Sequence, residues 1–117
     1  MSPMQAVSGH RSGRPAGGVA IVLLLALAAQ TPALAATHTV TIVGMVFEPA
    51  TLQAAAGDRI VWLNRDLVPH TASAVDRSFD SGRIEPGQRW SLVLTTAGVV
   101  DYGCAYHPTM QGRLEVR

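Results

Sequence analysis

Gly57-Asp58-Arg59-Ile60-Val61-Trp62-Leu63-Asn64 decides the fold. A Gly-Asp pair suited to a turn opens onto residues rich in β-branched and aromatic side chains, the composition of a pleated, half-buried surface. The same pattern repeats outward. Toward the N-terminus, residues 37–43 alternate Thr with His, Val and Ile, which puts Val40 and Ile42 on one face, and residues 50–55 form a second short run. Toward the C-terminus, Pro86-Gly87 signals a turn before residues 89–95, where Trp90, Leu92 and Leu94 share a face. Ala97-Gly98 punctuates before residues 99–104, and Gly112 precedes residues 114–116. Past residue 36 no window of helix length carries a helical apolar period. Closely spaced strands parted by turns predict an all-β domain, a sandwich or small barrel. Phe47, Trp62 and Trp90 read as core, His38 as solvent-facing, and residues 76–87 as the linker-like stretch, where Asp76, Asp80 and Glu85 solvate a loop.

Of 117 residues, 48% are hydrophobic and 15% charged, and nine basic residues, all Arg, meet eight acids for a formal charge of +1. This is neither a disordered charged tail nor a chain with cationic excess, so nucleic acid is not an expected partner. Arg11 and Arg14 lie in a polar head; Val, Ile, Leu and Ala then run almost unbroken over residues 19–29, and Ala33-Leu34-Ala35 supplies the small-x-small pattern of a cleavage site. Residues 1–35 are therefore expected to be a secretory signal peptide and residues 36–117 one mature domain. The apolar run is shorter than the about 20 residues that span a bilayer, so no membrane span is expected after signal removal; the alternative is an uncleaved N-terminal anchor.

Export gives meaning to the single cysteine, Cys104. No intramolecular disulfide can form, yet small exported domains usually need a staple because their cores are small. A metal, an oligomer or an unusually well-packed core must serve instead.

The segment Cys104-Ala105-Tyr106-His107-Pro108-Thr109-Met110 sets a thiolate, an imidazole and a thioether at three-residue intervals on one loop, with Pro108 limiting the conformations the loop gives up on closing round an ion. His70, after Pro69 and just beyond the strand carrying Trp62 and Asn64, is the candidate fourth donor. Two His and a Cys with a weak axial Met form the donor set of a blue-copper electron-transfer site; structural zinc sites seldom use Met, and calcium and magnesium require oxygen. Four protein ligands leave no open position for substrate, and the chain shows no general acid-base pair, activated nucleophile or phosphate-binding glycine loop. The expectation is one copper ion cycling between Cu(I) and Cu(II) in a protein that is not an enzyme. A rival reading uses the same ligands to carry or buffer Cu(I) for delivery to another protein.

The loop from Cys104 to Met110, the preceding Asp101-Tyr102, Gly57-Asp58, residues 62–65 and Pro69-His70 together resemble the cupredoxin family, in particular its amicyanin-like periplasmic branch with the short Cys-x-x-His-x-x-Met loop. The resemblance implies an antiparallel Greek-key β-sandwich with copper near one end and His70, Cys104, His107 and Met110 as ligands. It also implies a monomeric periplasmic electron carrier between redox partner proteins, such as a donor dehydrogenase and an acceptor cytochrome or oxidase. Met45, Leu67, Val68, Pro69, Ala105 and Pro108 would frame the docking surface. One departure stands out: Thr71 occupies the place of the family's Asn after the first His ligand, leaving a hydroxyl to make the supporting hydrogen bond.

Overall fold

The computed structural model describes residues 34–117 together with Gly9, Gly17 and Gly18. The expected signal peptide, Leu34, Ala35 and those glycines apart, lies outside the described residues. Eight strands follow in order: β1 (Thr37–Val43), β2 (Val46–Glu48), β3 (Thr51–Ala54), β4 (Arg59–Asn64), β5 (Ser73–Ala74), β6 (Arg89–Val93), β7 (Gly98–Gly103) and β8 (Gln111–Val116). Among the described residues there is no helix. The strands make two four-stranded sheets, ordered β2-β1-β4-β6 and β3-β8-β7-β5.

The sheets are mixed, which corrects the antiparallel expectation: β1 pairs with β4 in parallel, and β3 with β8 likewise. The chain leaves the first sheet through β2, visits the second as β3, and returns as β4 pointing along β1. Strand composition encodes burial and not direction, so this pairing was invisible in the sequence.

Alternation fills the core as the pattern requires. Val40 and Ile42 of β1, Ile60 and Trp62 of β4, and Tyr102, Leu114 and Val116 of the second sheet are buried. Trp62 lies at the centre, its ring 5.4 Å from Trp90, 5.4 Å from Tyr102 and 5.5 Å from Phe79. Trp90, expected in the core, is half-buried and packs against it from the edge strand β6. Neither Trp62 Nε1 nor Tyr102 Oη has a well-formed hydrogen bond; burial pushes the Tyr102 phenol up to about 12, and the neighbouring Trp62 N–H offsets only part of that.

Residues 76–87 are not a linker. Phe79 and Ile84 enter the core, and Ile84 exchanges both backbone hydrogen bonds with His70, at 3.1 and 2.7 Å. The β1–β2 hairpin turns through Gly44 and Met45 with φ of 62° and 64°, the sign a tight primed turn requires at both central positions.

His38 is half-buried rather than solvent-facing, because its Nε2 lies 2.9 Å from Asp58 Oδ2. Asp58 also accepts the backbone N–H of Ala55 and of Ala36, tying the start of β1 to the turn before β4. The Ala55 amide first, then His38 and Ala36, lower the Asp58 carboxyl from 3.8 to about 2. A carboxyl lowered by folding adds stability above its unfolded pKa that disappears as pH falls through the folded value. Thermal melts are therefore expected to show a drop in Tm between pH 3.8 and about 2 that Asp58→Asn flattens.

Candidate metal centre

His70 hangs between β4 and β5, and the β7–β8 loop carries Cys104, His107 and Met110. That loop winds through two successive turns: His107 N donates to Cys104 O at 3.3 Å and Met110 N to His107 O at 2.9 Å. The three-residue spacing thus sets the three candidate ligands one turn apart along a single loop. His70, 34 positions earlier than Cys104, is set by its two backbone bonds to Ile84.

The structure brings His70, Cys104 and His107 together, with one ligand atom from each within 4.8 Å of the others. Cys104 Sγ stands 3.8 Å from His70 Nδ1 and 3.6 Å from His107 Nδ1. Donors about 2.0–2.3 Å from a shared centre and roughly 110–120° apart would be separated by about 3.5–3.8 Å, so these spacings fit one first-row metal ion. Met110 is buried at the far end of the same loop and lines a cavity with Cys104 and Pro108. His70 and Cys104 are buried, whereas His107 is half-buried.

The surroundings prepare the donors. His70 Nε2 lies 2.8 Å from Asp66 Oδ2. A carboxylate can only accept, so Nε2 carries the proton and Nδ1 presents its lone pair toward the sulfur. Asp66 also accepts Gly44 N at 2.6 Å and Met45 N at 3.0 Å, which clamps the β1–β2 turn against the metal end. Burial pushes its carboxyl up, but the Met45 and Gly44 amides and His70 outweigh that, so the net shift is downward. Asn64, fully buried, donates to Val68 O and Ile84 O and accepts Asp66 N, shaping the loop that delivers His70. At the sulfur, Thr71 N donates to Sγ at 3.3 Å, and Thr71 Oγ1 accepts Ala105 N at 2.8 Å. The threonine hydroxyl thereby joins the two ligand loops.

Sequence reasoning missed Asp66 and the structural role of Asn64. A carboxylate four residues before a candidate ligand histidine was a usable signal, since imidazoles that bind metals commonly give their second N–H to a carboxylate. Around the site Leu67 is 96% exposed, and Met45, Val68, Ala105, Tyr106 and Pro108 are also exposed, with Pro69 half-buried.

The cupredoxin-like domain family matches residues 18–116. Amicyanin of Paracoccus denitrificans is 33% identical over 82 residues, 66% of this chain and 63% of that protein, so the chain spans just under two thirds of this relative's length. Plastocyanin of Lactuca sativa is 31% identical over 77 residues, 55% of this chain and 78% of that protein. Among solved structures, a variant of amicyanin in its Cu(I) form superposes with a TM-score of 0.66 at 30% identity, covering 69% of this chain and 82% of that one. Two mixed sheets, a cysteine sulfur flanked by two imidazole nitrogens and a family match over most of the length agree: the chain belongs to the cupredoxin-like family, the family of blue copper proteins.

Proposed function

We propose that this protein is a type 1 copper protein that carries single electrons between redox partner proteins, with His70, Cys104 and His107 as equatorial ligands and Met110 as the axial ligand. One observation carries the reading: a sulfur and two ring nitrogens stand 3.6 and 3.8 Å apart, already oriented by a carboxylate on His70 and an amide on the sulfur. Copper supplies the redox couple. The chain supplies a buried, hydrogen-bonded pocket that changes little when the electron moves, and that constancy keeps reorganisation small. His107, half-buried on a loop whose neighbouring Ala105, Tyr106 and Pro108 are exposed, is the electron's exit in this reading. The apolar rim supports docking of a partner protein, since exposed apolar patches on small domains mark such surfaces. Export through residues 1–35, a periplasmic site of action and a monomeric state complete the proposal, and a full ligand set supports a carrier rather than an enzyme.

The deciding measurement is the visible and EPR spectrum of the Cu(II)-loaded protein beside Cys104→Ser. Wild type is expected to show an intense visible band and a narrow copper hyperfine splitting, and Cys104→Ser to lose the band. Only weak absorption from wild type discards the type 1 assignment.

A further inference from the structure

Asp80 and Ser73 make no hydrogen bond to the four proposed ligands, yet both belong to a hydrogen-bond chain that ends at the amide of Ala105, the residue after Cys104. Thr71 Oγ1, which accepts Ala105 N, stands 2.9 Å from Ser73 Oγ; Ser73 Oγ donates to Asp80 Oδ1 at 3.0 Å; and that same oxygen accepts Gly82 N at 2.9 Å. The backbone sets the register, since Ser73 pairs with Gly103 on one side and bridges Asp80 on the other.

The direction of every hydrogen follows from counting protons. A carboxylate accepts only, so the single Ser73 proton points to Asp80. Ser73 can then only accept from Thr71, which uses the single Thr71 proton and turns a Thr71 lone pair to the Ala105 amide. The charge at the far end strengthens each link, because hydrogen bonds to ions are stronger and neighbouring bonds polarise one another.

We infer that Ser73 and Asp80 are positioning residues for the copper thiolate: through Thr71 they fix Ala105, the residue after Cys104, and keep the Thr71 amide on the sulfur. This deepens the copper reading above and rests on it. The expected loop-solvating role of Asp80 is thus replaced by a structural link to the site. Asp80 is exposed and Ser73 half-buried, so their bonds add little to global stability; what they control is which way the buried Thr71 hydroxyl faces. An amide on a thiolate withdraws electron density from it, which disfavours Cu(II). Loosening the chain therefore lowers the reduction potential.

Two readouts test this. In the metal-free protein, Asp80→Ala and Ser73→Ala are expected to speed hydrogen exchange of the Ala105 amide about tenfold, as loss of roughly one hydrogen bond requires. Asp80→Asn, which keeps an acceptor, stays within about twofold of wild type, on the same scale. In the copper-loaded protein the two alanine variants shift the ratio of Cu(I) to Cu(II) affinity about threefold against Cu(I), a fall of about 28 mV at 59 mV per tenfold. Wild-type exchange and wild-type potential in both alanine variants overturn the inference, even if Tm drops. Should wild type lack the intense copper band, the copper reading fails, and exchange at Ala105 alone decides the chain.

Discussion

Gly112→Ala is expected to lower Tm by about 8–24 °C. Gly112 of β8 sits opposite Tyr102 of β7, and a Cβ there would come within 2.6 Å of three atoms of the phenol ring. The ring has nowhere to go: Tyr102 is buried, with Phe47 edge-on at 4.7 Å, Trp62 at 5.4 Å and Phe79 at 6.0 Å. Overpacking of a tight core costs about 1–3 kcal/mol and sometimes more. A contact this close falls at the upper end, about 2–3 kcal/mol, and each kcal/mol moves Tm by about 4–8 °C in a domain of this size. Tyr102→Leu in the same background relieves the overlap, so the double variant should lose less than the sum of the two single losses. Strict additivity would show that the two side chains do not compete for the space.

Asp66→Ala is the second large effect, and it strikes stability and metal affinity together. The substitution leaves the buried His70 Nε2–H without an acceptor, at about 1–3 kcal/mol for an orphaned buried donor. It also frees the Gly44 and Met45 amides; Met45, a non-glycine at φ 64°, loses the contact that favours its left-handed backbone. Denaturant unfolding of the metal-free protein should report a loss of about 2–3 kcal/mol. With the imidazole no longer oriented, Cu(II) affinity should fall about 10–100-fold, the usual effect of removing a carboxylate behind a metal-binding histidine. Asp66→Asn keeps an acceptor and should recover most of both. An Asp66→Ala protein that binds copper within twofold of wild type would show that the ring is held by packing alone.

Much of this architecture was legible because its signals are local. The β-branched run at residues 59–64 and the alternation at residues 37–43 give β4 and β1 with matching bounds, since a two-residue period needs only neighbours to declare itself. β2 and β5, three and two residues long, carry no period at all and escaped notice. The meeting of Cys104 with His107 was readable because the two lie three residues apart on one loop. What the sequence withheld are links between distant residues. His38 meets Asp58 twenty positions away, which turned an expected surface histidine into a half-buried one. Asp66, just past residues 62–65 of the resemblance, reaches back more than twenty positions to Gly44 and Met45, contacts that no local pattern announces. Trp90 lies on an edge strand, and alternation alone does not distinguish edge from centre.

The position of β8 bears on the order of assembly during synthesis. This strand lies between β3 and β7, so its sheet has no continuous ladder until residues 111–116 are in place. A growing chain that already contains every thiol, imidazole and thioether of the metal end would still lack the seam joining its second layer until residues 111–116 have been added. Pairings this remote along the chain also close slowly. The second layer is therefore complete only once β8 has docked between β3 and β7, however early the first layer has formed.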